Sequence, residues 1–181
     1  KKVDDGFYEF KSKTGQYTMW FPEDYQLIKE NEEDYVINDN SYERWIAKDV
    51  NDKAGDTGGD YIEVTFSNAR KAENESFTVE NMFKEQLNIT KPNNFETAST
   101  RIYYDAAYTY FKGTQEVVKH NSKEHAPNTY IAYIVDKKSN NAIELWFDKS
   151  KGGQKNNKVT EKKWLLTILK NIRFREGNEN E

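Results

Sequence analysis

The stretch IYYDAAYTYF, residues 102–111, decides the fold of this chain. Tyrosine, isoleucine and phenylalanine dominate it, and these residue types favour β-strands. Three more segments of the same character follow, namely EVVKH at 116–120, YIAYIV at 130–135 and AIELWF at 142–147. The connections between them are short, so consecutive strands are expected to pair as antiparallel neighbours and not through βαβ crossovers. This part of the chain is therefore predicted to form an antiparallel meander.

Strand signals continue toward the N-terminus. Residues 61–66 (YIEVTF) alternate between apolar and polar side chains, and Ile62, Val64 and Phe66 fall on one face. This alternation predicts a strand with one buried face and one wet face. The glycine-rich stretch 51–60 that precedes it is predicted to be a loop. Further strands are predicted at residues 17–21, 25–28 and 34–37. The periodicity of residues 42–50 fits a strand or a helix, and their Tyr, Trp, Ile and Val content favours a strand.

Two segments carry helical signals. Phe77 and Met82 flank a cap at Thr78 in the manner of a hydrophobic staple, which predicts a helix over residues 79–87. Near the C-terminus, an apolar stripe at helical spacing predicts a second helix that packs on the sheet. That stripe consists of Trp164, Leu165, Ile168, Leu169 and Ile172.

The predicted fold class is α+β, with a single antiparallel β-sheet flanked by a few α-helices. Residues 8–174 are expected to form one domain, which suits a chain of 181 residues. Residues 1–7 are expected to be a linker or disordered N-terminus, and residues 175–181 a frayed acidic tail.

Composition excludes several classes of protein. Aromatic residues make up 14% of the chain, which argues against disorder, and no stretch approaches the roughly 20 apolar residues of a membrane span. The net charge of −4 argues against generic nucleic-acid binding. The sequence contains no cysteine, so it offers no disulfide, thiolate nucleophile or Cys-based metal site. It also lacks P-loop, GxGxxG, HExxH and GxSxG patterns, and no cofactor is predicted.

Two clusters contain residue types that bind metals, and neither predicts a metal site. His120 and His125 lie beside Glu116 and Glu124, a combination that could bind a metal or serve a small hydrolase. Solvated loop histidines are the simpler interpretation, and the hydrolase with a His/carboxylate site is kept as an alternative function. The carboxylates of the glycine-rich loop lack the spacing of an EF-hand; they are Asp49, Asp52, Asp56 and Asp60.

The most unusual feature is the tyrosine content of neighbouring strands. Tyrosine is enriched at interfaces because it combines a large ring with a polar hydroxyl. One sheet face is therefore expected to carry a tyrosine-rich binding patch, unless these rings pack in the core with their hydroxyls at its edge. The candidate residues are Tyr103, Tyr104, Tyr108, Tyr110, Tyr130 and Tyr133.

The order of the predicted elements resembles that of PsbP-like proteins. The strand and proline of YTMWFP at 17–22 are similar to that family's opening, and WLLTILKNIRF at 164–174 resembles its terminal helix and short strand. Between them, the strand at 61–66, the helix at 79–87 and the strand residues 105–110 follow the family's order. The resemblance implies a non-enzymatic binding or assembly module, without catalytic residues to carry over.

The start of the chain bears on which branch of this family it resembles. The known members include plant photosystem II subunits, a yeast Ran-binding protein and bacterial lipoproteins. The chain begins at Lys1 without methionine or an apolar segment, as a mature form does once an upstream segment has been removed, although a tag-cleaved cytosolic protein would begin similarly. Lysine and asparagine are abundant while arginine is sparse, which favours an AT-rich bacterial source.

The resemblance and the chain start together imply the soluble part of a Gram-positive bacterial lipoprotein. Its signal peptide and anchor cysteine are expected upstream of Lys1, which would place the domain outside the cytoplasm with a lipid as its only contact with the membrane. Its partner is expected to be a protein or another component of the cell envelope. An intracellular adaptor of the Ran-binding type remains the other alternative.

Overall fold

The computed structural model describes residues 1–51, 60–120, 122–149 and 158–175. Its strands in chain order are β1 (Lys2–Asp4), β2 (Phe7–Lys11), β3 (Tyr17–Pro22), β4 (Tyr25–Leu27), β5 (Tyr35–Asn38), β6 (Tyr42–Asp49), β7 (Tyr61–Ser67), β8 (Asn93–Glu96), β9 (Thr100–Lys112), β10 (Gln115–Lys119), β11 (Thr129–Asp136), β12 (Ala142–Asp148) and β13 (Arg173–Phe174). Two α-helices accompany them, α1 (Glu75–Leu87) and α2 (Lys158–Lys170).

The described strands form two sheets. The larger sheet has the order β10-β9-β11-β12-β7-β6-β4, with β5 also paired to β6 and β8 to β9. The smaller sheet has the order β1-β2-β3-β13. Every pair is antiparallel, which confirms the predicted antiparallel α+β class. The prediction of a single sheet is wrong, because β2 and β3 pair with each other and form a separate layer.

The smaller sheet stands apart because it has an apolar face of its own to bury. Tyr17 and Met19 of β3 are almost completely buried, as are Trp45 and Phe66 of the larger sheet in the same core cluster. The rings of Tyr17 and Phe66 stack with centroids 5.5 Å apart, and Trp45 Nε1 donates a 2.8 Å hydrogen bond to the Tyr17 hydroxyl. Two apolar faces that cover each other make two layers.

The N-terminal segment also departs from its prediction. Residues 1–7, expected as a linker, contribute β1, which pairs with β2 through Lys2 opposite Tyr8. Val3 packs against the main core from this strand. The pairing and this apolar contact explain why the segment forms a strand despite its charged composition.

The second predicted helix is confirmed by α2, which closes the core on the same side as the smaller sheet. Leu165, Ile168 and Leu169 of the stripe are at most 1% exposed. Trp164 is half-buried, with its ring centroid 4.9 Å from that of Phe147. The helix begins at Lys158 and so extends further toward the N-terminus than its apolar stripe.

The first predicted helix begins earlier than its sequence signal indicates. It starts at Glu75 and not after Thr78, because the Glu75 carboxylate is buried at the helix N-terminus between Arg70 and Arg101. Phe77, the expected staple residue, is 68% exposed. The helix ends at Leu87, where Asn88 adopts a left-handed conformation with φ 53°. Its apolar face covers the side of the larger sheet opposite to α2.

Most predicted strands occur within two residues of their predicted bounds. The sequence analysis did not predict β1, β2 or β8 as strands. Residues 52–59 of the predicted loop and residues 176–181 of the predicted tail lie outside the described residues, so those two predictions are not addressed by the fold.

Candidate functional site

The strand register divides the six candidate tyrosines into two groups. In the β9–β11 pair Tyr103 lies opposite Tyr133, whereas Tyr104 lies opposite Ala132. Consecutive strand residues point to opposite faces, so Tyr103 and Tyr104 cannot share one. The expectation of a single six-tyrosine face is therefore corrected. One group lies on the face of the larger sheet that is turned toward the smaller sheet and α2. It consists of Tyr104, Tyr108, Tyr110 and Tyr130.

Tyr103 and Tyr133 belong to the packing beneath α1. The Tyr103 hydroxyl donates a 2.8 Å hydrogen bond to Oε1 of Glu75. Tyr133 is only 4% exposed and packs in the same cluster as Val79 and Phe83 of α1. Burial, with a contribution from Glu144, raises the pKa of Tyr133 to about 12. For these two residues the alternative interpretation, packing in the core with the hydroxyl at its edge, describes the structure.

Three tyrosines of the other group, Tyr104, Tyr108 and Tyr130, line one groove of about 350 Å³. We call it the tyrosine groove. It lies between β9, the end of β10, the segment 122–127 and α2, and its volume and mixed polarity are typical of a binding site. Its other lining residues are Asn93, Asp105, Ala106, Lys119, Ser122, His125, Pro127, Lys162 and Leu165.

A continuous stack of four side chains borders the groove, and three of them, Tyr108, Lys119 and His125, line it. The rings of Tyr108 and His125 are nearly parallel, at 16°, with centroids 4.3 Å apart. Tyr108 also stacks on Tyr110 at 5.7 Å, and Lys119 Nζ lies 5.3 Å from the centroid of the Tyr110 ring. The order is therefore His125, Tyr108, Tyr110, Lys119, in which each ring restricts the rotamers of its neighbours and a cation–π contact closes the stack.

Local hydrogen bonds hold the segment that carries His125. The Ser122 hydroxyl oxygen accepts from the backbone N–H of His125 at 3.0 Å and from that of Glu124 at 3.2 Å. Asn128 extends the β-ladder with its side chain, since its Oδ1 accepts from Thr109 N at 2.7 Å and its Nδ2 donates to Thr109 O at 2.8 Å. The segment is thus fixed to β9 at one end.

Tyr130 forms the floor of the groove and is tied to α2. Its hydroxyl donates to Oε2 of Glu161 at 2.7 Å, and Lys149 Nζ donates to Oε1 at 2.8 Å. Glu161 is 6% exposed, so its charge is balanced in the interior by Lys149. Burial, together with the nearby Glu161 carboxylate, raises the pKa of Tyr130 well above its ordinary value. Burial lowers the pKa of the Lys149 ammonium, but the nearby carboxylates of Glu161 and Asp60 together outweigh burial and leave this pKa raised.

The sequence analysis did not assign the basic residues of the groove to the tyrosine-rich patch. Lys119 lies opposite Tyr108 in the β9–β10 pair, and Lys162 precedes Leu165 by three residues on α2, which places both on the groove side of that helix. The hairpin between β9 and β10 was predicted, so its register could have placed Lys119 beside Tyr108. The position of Lys162 depends on where α2 packs on the sheet, and no local sequence pattern indicates that packing.

The histidines are not brought together with carboxylates. His125 stacks on Tyr108, His120 is exposed, and neither imidazole is hydrogen-bonded to a carboxylate within the part of the chain that the structure describes. Across the same residues, no group of three or more His, Asp or Glu side chains is placed to hold a metal ion. Of the loop carboxylates, Asp49 and Asp60 are described and Asp52 and Asp56 lie outside the described residues.

A second depression of about 770 Å³ lies between β2 and β4. Rings of Tyr8, Phe10 and Phe21 line it, but its charged residues are of both signs. Of these two depressions, the tyrosine groove alone combines a fixed stack of rings with charge of mainly one sign among its described residues.

Comparison with known proteins places the fold and the family. The solution structure of cyanobacterial PsbP (CyanoP) from Synechocystis sp. PCC 6803 is similar, with a TM-score of 0.53 and 8% sequence identity over 96% of this chain and 95% of that one. At this identity the similarity concerns the fold, and it confirms the predicted PsbP-like architecture. No curated protein sequence matches the chain.

No α-helix among the described residues has the length and apolar character needed to cross a membrane.

Family membership follows from the sequence itself. Residues 1–173 match the YvcA_Mog1p family, whose description is "Putative lipoprotein YvcA". The match includes α1, α2, every described strand except the last residue of β13, and all the residues that line the tyrosine groove. The chain therefore belongs to this lipoprotein family.

Proposed function

We propose that this chain is the extracytoplasmic domain of a bacterial lipoprotein, a non-enzymatic module that binds or assembles cell-envelope components through protein–protein contacts. The observation that carries the proposal is the match of residues 1–173 to a family described as a lipoprotein. The PsbP-like fold supports it, since the similarity extends over nearly the whole chain. An anchor cysteine upstream of Lys1 would hold the domain at the membrane by lipid alone.

The chemistry of the tyrosine groove supports binding over hydrolysis. A nucleophilic or acid–base site needs a base within hydrogen-bond reach of the group it activates. His125 instead presents its ring face to Tyr108, and the carboxylate of Asp105 already accepts hydrogen bonds from Asn93 and Ala106. Half-buried tyrosine rings, such as those of Tyr104 and Tyr108, are side chains that anchor protein interfaces.

The location is tested on the full-length protein in its native cells. The cells are extracted with a detergent that separates into two phases, and intact cells are treated with protease. The proposal predicts recovery in the detergent phase and cleavage by external protease. Replacing the upstream anchor cysteine with serine is the matched control and should move the protein to the aqueous phase. Aqueous recovery of the unaltered protein, with protection inside intact cells, would contradict the proposal and favour the intracellular adaptor.

The protein contact is tested with groove variants. Tyr104→Ala and Tyr108→Ala should weaken binding of the native partner, because each removes a ring from the groove wall. Tyr42→Ala, a half-buried tyrosine of β6 outside the groove, is the control. Circular dichroism establishes that all three variants fold. If the two groove variants bind the partner as well as the Tyr42 variant does, the groove is not the contact surface.

A further inference from the structure

The tyrosine groove carries positive charge that its own residues do not neutralise. Its charged side chains are Lys119 and Lys162, with Asp105 as the one carboxylate among its described lining residues. Oδ2 of Asp105 accepts from Asn93 N at 3.3 Å and Asn93 Nδ2 at 3.0 Å, and Oδ1 accepts from Ala106 N at 2.9 Å. Neither lysine is ion-paired with a carboxylate of the described residues. This local excess contrasts with the net charge of −4 of the chain.

We infer that the tyrosine groove binds a polypeptide segment rich in carboxylate side chains, an inference that rests on the function proposed above for the same groove. Charge complementarity determines the sign of the occupant's charge, since an acidic segment would supply carboxylate partners for both lysines. Lys119 extends from β10 and Lys162 from α2, on different elements of the groove wall. An occupant that pairs with both must therefore span the groove.

The surface between the lysines favours a polypeptide over a phosphate polymer. It is formed by the rings of Tyr104 and Tyr108 and by Ala106, Pro127 and Leu165. Such a surface accommodates the methylene groups and backbone of a peptide. Phosphate sites commonly use the bidentate guanidinium of arginine, and none of the described lining residues is arginine.

The stacked wall reduces the cost of binding. Tyr108 is held between His125 and Tyr110, at centroid distances of 4.3 and 5.7 Å. Lys119 Nζ lies 5.3 Å from the centroid of the Tyr110 ring. Side chains that are already ordered lose less conformational entropy when a partner binds. A short acidic segment could therefore bind measurably despite the small volume of the groove.

The inference is tested by fluorescence anisotropy with fluorescein-labelled hexaglutamate at low salt. The chain is expected to bind hexaglutamate and not hexaglutamine or hexalysine, and added salt should weaken the binding because exposed charges are screened. The double variant Lys119→Gln with Lys162→Gln should bind about fivefold more weakly, the effect of two exposed ion pairs of modest strength. The matched control, Lys71→Gln with Lys84→Gln, removes the same charge from exposed positions outside the groove.

Three results would overturn the inference. The first is equal binding of hexaglutamate and hexaglutamine. The second is equal weakening by the groove and control variants, which would show an effect of net charge alone. The third is binding to vesicles of anionic phospholipid that depends on Lys119 and Lys162 while hexaglutamate does not bind, which would identify a membrane surface instead. Failure of the proposed function is seen separately, in the detergent partition and in the response of partner binding to Tyr104→Ala.

Discussion

The phenol oxygen of Tyr130 lies 2.7 Å from Oε2 of Glu161, and this hydrogen bond joins β11 of the larger sheet to α2. Both residues are buried, and the second carboxylate oxygen of Glu161 is bound by Lys149. Tyr130 lines the tyrosine groove, as does Lys162, the residue that follows Glu161. The bond therefore holds two walls of the groove in a fixed relation.

Tyr130→Phe should lower the free energy of unfolding by about 1–2 kcal/mol, because the buried Glu161 carboxylate loses a donor while the ring is kept. Urea denaturation monitored by tryptophan fluorescence measures the change. Tyr104→Phe is the matched control, since the Tyr104 hydroxyl forms no hydrogen bond within the described residues and its loss should be nearly neutral. Equal effects of the two substitutions would contradict a structural role for the Tyr130–Glu161 bond.

Glu75→Gln should destabilise the chain by about 3 kcal/mol, because it leaves buried positive charge without its counter-ion. Glu75 accepts hydrogen bonds from Arg70, Arg101 and Tyr103 at the start of α1. The control is Glu80→Gln, at an exposed position of the same helix, which should change the unfolding free energy little. Thermal and urea unfolding of both variants provide the comparison.

We also expect the Glu75 carboxylate to make the stability of the chain depend on pH. Hydrogen bonding from Arg101 is the main cause that holds the pKa of Glu75 below its ordinary value of 4.5, against the opposing effect of burial. A carboxyl group with a lowered pKa in the folded chain contributes stability above the unfolded pKa and loses it as the pH falls through the folded pKa. The difference in stability between the unaltered chain and Glu75→Gln should therefore shrink below pH 4.5. A difference that stays constant down to acid unfolding would refute this assignment.

For Glu144, the expected effect of pH on stability has the opposite sign to that for Glu75. Burial on the larger sheet, with repulsion from Glu63, raises the pKa of Glu144 above its ordinary value. Its ionised form therefore opposes folding at neutral pH, and the opposition disappears once the group is protonated. Glu144→Gln should stabilise the chain at pH 7 by less than about 1 kcal/mol and should have no such benefit in acid. Glu85→Gln, at an exposed position of α1, is the control and should change the unfolding free energy little.

Glu43 joins the turn after β2 to the larger sheet. Its fully buried carboxylate accepts hydrogen bonds from the backbone N–H of Lys13 and Thr14, from the Thr14 hydroxyl and from the Tyr35 hydroxyl. In Glu43→Gln the amide nitrogen would face donors, so the unfolding free energy should fall by about 2 kcal/mol. Glu33→Gln, at an exposed position, should be nearly neutral. A neutral Glu43→Gln variant would show that this buried carboxylate does not stabilise the junction of the sheets.

The elements of the fold that the sequence predicted well are those with local signals. Ile62, Val64 and Phe66 alternate with polar residues, and the strand they predict is β7 with these side chains buried. Leu165, Ile168 and Leu169 likewise recur at helical spacing in α2. The second sheet could not be predicted in this way, because β2 is stabilised by pairing with β3 and by packing on a distant strand. Such contacts join residues far apart in sequence and leave no local period.

The candidate site also has features that local sequence signals predict and features that only long-range packing determines. The alternation rule, applied to the sequence alone, is enough to separate Tyr103 from Tyr104, since adjacent strand residues face opposite ways. The early start of α1 could not be inferred from its staple residues, because ion pairs of the buried Glu75 carboxylate with Arg70 and Arg101 determine it. The contribution of Lys162 to the groove could not be predicted from the sequence, because it depends on where α2 packs on the sheet.

The central claim is that this lipoprotein-family domain contacts another protein through the tyrosine groove. The most direct measurement places a photo-crosslinking amino acid at position 104, in the groove, and separately at position 42, outside it, in the full-length protein in native cells. Illumination is expected to join position 104 to a discrete envelope protein, and Tyr108→Ala should reduce this product, while position 42 gives no such product. Equal crosslinking from both positions, or none from position 104 in correctly located protein, would contradict the claim.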